Sequence, residues 1–325
     1  MMCMTEYGLS AQCCSSGSGS PLAGGGAQGV LQDGQLDIGS SLQFTSTSKF
    51  LHGDSKANDF LDNFHSTYLY NRLGYGLSSR LTMSVEFGYW LNKTQIGLNQ
   101  SDTISTSGIG DLILFPRYDL YNNTDEHNIR TELTLGLAVK IPTGKFNDSL
   151  RKIEPFSGTE YYLRNPPAVQ PSTGAIDLLF YTFLFRGYPD ENISFFANAM
   201  YVRKGWNPLG EKTGDYFGLG LFASKTFFEN AGVTLQLRSE LVGKTEINKD
   251  ILLYAYPNYD VEATGSKKIF FTPQISYSFG VGFSCFVLSD IPIYQYVTKT
   301  QIASQFMLNI GFSYRVIASE NQNSD

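Results

Sequence analysis

Few residues in this chain are of a type that does chemistry. His52, His65 and His127 are its 3 histidines. His65 is followed by Ser66 and Thr67, so a base and a hydroxyl adjoin in sequence. Neighbours on a strand point to opposite faces, so this order builds no Ser–His couple. No nucleophile elbow, phosphate-binding glycine loop or dinucleotide fingerprint is present. The cysteines are Cys3, Cys13, Cys14 and Cys285, with no C-x-x-C and no Cys/His zinc spacing. Vicinal Cys13 and Cys14 could hold a soft metal ion or close a strained disulfide, but the preferred reading is a tail without that role. Asp54, Asp59 and Asp62 lack the spacing of a calcium loop and are read as a solvated loop. The chain is therefore expected to be no enzyme and to carry neither metal nor cofactor.

The remaining reactive groups are charges, and their number is low. Lys and Arg total 24 against 30 Asp and Glu, a formal charge of −6, in a chain of 325 residues. An acidic balance argues against nucleic acid as a partner. Charged residues make up 17%, below the roughly 25% of an average soluble domain. Aromatics reach 14% and there are 32 glycines. That mixture suits an all-β chain with an apolar outer surface.

Period two runs through the sequence. In 129–141, Ile129, Leu133, Leu135, Leu137 and Val139 share one face, and Arg130, Glu132 and Lys140 share the other. In 81–92, Leu81, Met83, Val85, Phe87 and Tyr89 oppose Thr82, Ser84 and Glu86. Val233, Leu235 and Leu237 oppose Arg238 and Glu240; Phe306, Leu308, Ile310 and Phe312 oppose Asn309 and Arg315. The uncharged run 269–289 is long enough for a membrane helix. It holds Pro273, Gly280 and Gly282 and alternates with period two, so it reads as strand.

Twelve strands are predicted, near 35–46, 64–75, 80–92, 109–122, 128–142, 173–186, 191–203, 214–227, 232–244, 268–279, 283–296 and 304–316. Facing is ambiguous in 64–75, 173–186 and 283–296, where apolar residues hold both parities; for 173–186 an inner covering by a plug or loop is one account. Many strands run to about a dozen residues, against about 9–11 needed to cross a bilayer. Short turns alternate with longer loops, the longest over 143–172. An even strand count with this alternation points to an antiparallel up-and-down transmembrane barrel of the bacterial outer membrane, with short periplasmic turns, long extracellular loops and both termini in the periplasm. Residues 1–11 are read as the remnant of a signal peptide, and 12–34 as a flexible Gly/Ser-rich segment and candidate plug. The barrel spans 35–316, and 317–325 form a polar periplasmic tail.

Certain motifs add a resemblance. Gly108, Gly110 and Asp111 lead into Pro116, Arg117 and Tyr118. Val139, Lys140, Ile141, Pro142, Thr143 and Gly144 close the next strand, and a second Gly-Ala-Ile-Asp stretch runs from Gly174 to Asp177. Over about 108–316 the chain resembles the outer-membrane transporter family linked to the meta-pathway of phenol degradation, relatives of the hydrophobic-compound channels. The resemblance implies passage of small, often apolar compounds across an outer membrane. The last strand resembles the insertion signal read by the barrel-assembly machinery, with Gly311, Tyr314 and Val316 as its residues. It departs from that signal in ending on Val316 rather than Phe.

Within such a barrel Glu86, Asp111, Arg117, Asp119, Arg130, Glu132, Lys140, Arg238, Glu240 and Arg315 are expected to line the lumen. A turn centred near Thr124 and Asp125 would set Asp119 opposite Arg130 and Arg117 opposite Glu132, giving two cross-strand ion pairs. Mixed signs suggest a network that narrows the lumen rather than a single-sign selectivity ring. The function expected is passive passage of a small solute through a narrow charged channel. The alternative is a structural barrel with a blocked lumen, an accessory of a larger envelope assembly. The partners expected are the lipid bilayer, the assembly machinery, a small solute and an envelope protein.

Overall fold

The structure is a computed structural model. It describes residues 29–317 except 60, 101, 154–155, 229, 249–261 and 281. The expected signal remnant, Cys3, Cys13, Cys14, most of the 12–34 segment and the tail from 318 on lie outside the described residues.

Twelve antiparallel strands close into a barrel. They are β1 Gln35–Thr47, β2 Leu61–Ser78, β3 Leu81–Gly97, β4 Leu112–Thr124, β5 Arg130–Ile141 and β6 Asp177–Tyr188. After them come β7 Ile193–Arg203, β8 Tyr216–Phe227, β9 Ala231–Val242, β10 Ser266–Ser278, β11 Phe283–Ile302 and β12 Phe306–Ile317. Each strand pairs with its neighbours in sequence, and β12 pairs back onto β1 from Gln35↔Ile317 to Ser46↔Phe306. No helix among the described residues is long and apolar enough to cross a membrane.

Period two sorts the side chains. On β5, Glu132, Thr134 and Ala138 are fully buried, while Leu135 and Leu137 are exposed. Outward apolar residues recur around the wall, among them Leu42, Leu73, Leu91, Leu219, Leu235, Ile275 and Ile310. So continuous an apolar belt belongs in hydrocarbon. Exposed aromatics mark both of its edges. Tyr118, Phe227, Tyr277 and Tyr314 sit toward the short-turn end; Phe44, Tyr201, Phe217 and Phe306 sit toward the other. From Phe217 to Phe227 is ten residues of one strand, which at a tilt of about 40° rises ~25 Å, the height of an outer-membrane apolar band.

The three ambiguous strands now have physical explanations. β6 is apolar on both faces because its inner side chains, Leu179, Tyr181, Phe183 and Phe185, join a buried cluster with Phe115, Phe196 and Phe222. Barrel wall, not plug or loop, supplies that inner partner. On β11 the register shifts between Tyr294 and Pro292, leaving Ile293 over. Phe286, Leu288 and Asp290 face inward before that bulge, and Gln295 and Val297 after it, so parity flips. β2 turns Ser66, Tyr70 and Arg72 inward.

The turn between β4 and β5 corrects one expectation. Asp125 accepts backbone N–H bonds from His127 and Ile129, each 2.9 Å, and Asn128 adopts φ 60°. The hairpin therefore centres on residue 127, with Thr124 opposite Arg130. A bulge beside Leu120 then places Asp119 opposite Thr134 and Arg117 opposite Gly136. Neither expected cross-strand ion pair forms, because the longer turn and the bulge shift the register between the two strands.

Two outcomes test this architecture. Leu135→Arg should cost about 2–4 kcal/mol in reversible unfolding from lipid vesicles, since it forces a cation into hydrocarbon. A cost near zero would place that face in water. The N–H donors of Ile129 and His127 hold the Asp125 carboxyl below the usual aspartate range. A depressed pKa adds stability above the unfolded value, lost as pH falls through the folded one. Asp125→Asn should lower the melting temperature at neutral pH, and the gap should close in acid.

Candidate functional site: the barrel interior and its extracellular vestibule

Inward charges are arranged as clusters. Toward the periplasmic end Asp37 is gripped twice, by Arg72 at 2.6 Å and by Arg315 at 2.9 Å. Asp37 and Arg72 are both almost fully buried. The three strands that meet here, β12, β1 and β2, are neighbours through the closing seam, so the triad exists only if the barrel closes. Nearer the extracellular end Arg238 bridges Glu240 at 2.7 Å and Asp290 at 2.6 Å. Thr272 also donates to Asp290, and Tyr216 to Glu240. A third cluster joins Lys140 to Asp111 and Asp177, with Lys204 also 3.0 Å from Asp177.

Each residue expected in the lumen can now be placed. Glu86, Arg117, Asp119, Glu132, Lys140, Arg238 and Glu240 are buried on the inner wall. Asp111 sits at the upper end, where Gly110 donates to Gly88 O at 2.8 Å and the chain bends from the short strand Thr103–Ile109 into β4. Arg315 is partly covered beside Asp37, and Arg130 lies at the periplasmic rim with a side chain 38% exposed. Arg130 binds Glu132 of its own strand, Asp119 takes a bond from Asn122, and Arg117 donates to Ser84. The expected partners are thus replaced by others.

Sequence reasoning missed Asp37, Arg72, Asp177, Asp290, Lys93, Lys204 and Lys268. Asp37 and Asp290 follow the inward parity of their strands and could have been read from it. Lys93 could not, since a bulge in β3 pairs Trp90 with Tyr68 and Asn92 with Thr67, leaving Leu91 over. That extra residue turns Lys93 toward the interior. Lys204 and Lys268 lie at strand ends where alternation fades.

Below the vestibule the interior is filled. Glu86, Arg117, Gln274 and Asn309 expose 1% or less of their surface. One side, from β6 to β8, is apolar; there Phe196 and Phe222 stack at 4.4 Å. At the periplasmic end the residues before β1 turn into the barrel. Leu31 is buried and its N–H donates to Thr82 at 2.7 Å, and that of Val30 to Glu132 at 3.3 Å. Gln32 O lies so close over Gly76 that a Cβ there would stand 1.9 Å from it, so this passage requires glycine.

The other end opens into a cavity of about 520 Å³. Its wall mixes Tyr68 and Trp90 with Lys93, Lys140, Lys204 and Lys268. The long loop carries a hairpin, Ser149–Ile153 with Glu160–Arg164, and then folds back over the mouth. Trp90 Nε1 donates to Pro171 O at 3.0 Å and Lys93 Nζ to Gln170 O at 2.7 Å, pinning the loop to the wall.

No family model and no curated protein matches the chain. Solved structures do. The COG4313 outer membrane channel from Pseudomonas putida F1 superposes with TM-score 0.61 at 15% identity, over 89% of this chain and 97% of that one. The β domain of the Bordetella autotransporter BrkA gives 0.48 at 9%, over 87% and 100%. The translocator domain of autotransporter NalP from Neisseria meningitidis gives 0.45 at 13%, over 88% and 90%. The fold is that of a bacterial outer-membrane β-barrel.

Arg72→Met should destabilise the barrel by about 3–5 kcal/mol, because it removes one of the two cations on a buried carboxylate. Adding Asp37→Asn should recover part of that loss in a double-mutant cycle read by unfolding from vesicles. Full additivity would mean that the pair is not coupled.

Proposed function

We propose that this protein is an outer-membrane channel for small compounds, hydrophobic or aromatic ones included, which pass through a narrow, charged lumen. The observation that carries this is the vestibule. A cavity of about 520 Å³ opens at the extracellular end of the barrel, with aromatic and cationic side chains interleaved on its wall. Cavities of this size suit small organic molecules. The apolar inner face of β6 to β8 offers such a solute a surface below the vestibule, and the mixed charges opposite keep the passage narrow. The motif resemblance to transporters linked to the meta-pathway of phenol degradation agrees with this solute class. The Pseudomonas putida protein, an outer membrane channel, supports the channel role alone.

Residues 12–34 act in this reading as a plug at the periplasmic mouth, because the described part of the segment already hydrogen-bonds Thr82 and Glu132 inside the barrel. Gly311, Tyr314 and Val316 serve as the insertion signal for the assembly machinery; Tyr314 and Val316 point outward on the last strand.

A second reading draws on the filled interior. With Glu86, Arg117 and Gln274 so fully covered, a permanently closed barrel would act through its loops, as an accessory of an envelope assembly. Single-channel recording in planar bilayers separates the two. The channel reading expects small steps from the full chain and larger ones after deletion of 12–34. Silence of both forms would favour the interaction barrel.

A further inference from the structure

The vestibule has a charge pattern that the ion-pair clusters do not use up. Its carboxylates are engaged: Asp111 by Lys140, and both Glu240 and Asp290 by Arg238. Lys140 and Lys204 in turn share Asp177. Among the described residues Lys93 and Lys268 have no carboxylate at ion-pair distance; Asp111 and Glu240 attract them from farther off but are already held by Lys140 and Arg238. Lys93 donates to Gln170 O at 2.7 Å and lies 4.4 Å from the centre of the Trp90 ring; Lys268 donates to Ser304 at 3.0 Å. An ammonium has three donors, so each keeps two for a ligand. A half-buried cation without a counter-ion in direct contact is costly, and that cost becomes affinity when an anion arrives.

The surroundings of Lys93 restrict which anion fits. Trp90 packs against Tyr68 with ring centroids 4.3 Å apart, and Pro171 also lines the cavity. Inorganic anions would gain nothing from these surfaces. From this geometry we infer that the vestibule binds small monocarboxylates with an apolar, preferably aromatic, body. The carboxylate sits on Lys93 Nζ and the body against Trp90, Tyr68 and the loop at Pro171. Lys268, on the far wall five strands away, adds to the attraction without touching the same carboxylate. This inference rests on the channel reading for its purpose and names the solute class that would enter from outside; the binding site itself stands on the geometry alone.

The probe is benzoate, with benzamide as its neutral isostere and acetate as the anion without a ring. The chain holds 2 tryptophans, Trp90 and Trp206, so in a Trp206→Phe background Trp90 reports alone. Benzoate should quench that fluorescence saturably, about tenfold tighter than either comparison ligand. Lys93→Gln should abolish the preference for benzoate over benzamide, and Lys93→Arg should keep it. Equal affinity for benzoate and benzamide in the Lys93 protein would overturn the inference without any variant at the site, as would a preference that survives Lys93→Gln. Conductance of the same preparations separates the two levels. A conducting barrel with no benzoate preference removes this inference and leaves the channel. A silent barrel that still prefers benzoate removes the channel and leaves the site.

Discussion

Inside a bilayer no backbone N–H or C=O can be left facing hydrocarbon, so a sheet that enters it must have no edge. The seam between β12 and β1 meets that requirement here, with pairing along the whole of both strands. Closure fixes more than the ladder. It brings Asp37 and Arg72, on the first two strands, and Arg315, on the last, to one buried point. The charge triad and the seam therefore depend on each other, and each specifies the same register.

A closed wall also isolates whatever it encloses. Charges turned inward have little water to solvate them, so most of them survive in clusters such as Asp37 with Arg72 and Arg315, or Arg238 with Glu240 and Asp290. Where the wall turns rings inward instead, from β6 to β8, packing takes over from ion pairing. The interior is thus apolar along one side and ionic along the other. Where the strands rise past the apolar belt the filling thins into a vestibule, and the surplus cations lie there.

Much of this was legible in the sequence. All twelve strands, the inward parity of Glu86, Glu132, Lys140, Arg238 and Glu240, and the alternation of short turns with long loops follow from period two and turn chemistry. What escaped depends on single extra residues. Leu120, Ile293 and Leu91 each sit at a register shift, and each changes which side chain faces in or which strand position lies opposite. A bulge leaves no mark in composition, because it adds one ordinary residue to the strand. The two expected ion pairs were lost to one such shift and to the longer turn capped by Asp125. Lys93 was hidden by another. Asp177, though part of a motif, gains its meaning only when the fold sets Lys140 and Lys204 beside it.

Odd positions of β5 face lipid while even ones face the barrel interior. Nitroxide labels placed singly at residues 133 to 139 in proteoliposomes would test it most directly. Collision with dissolved oxygen and with a water-soluble nickel chelate is then compared position by position. Oxygen accessibility should be high and nickel accessibility negligible at 133, 135, 137 and 139, with oxygen accessibility dropping at each even position between them. Uniform accessibility along the strand, or nickel reaching the odd positions, would contradict it.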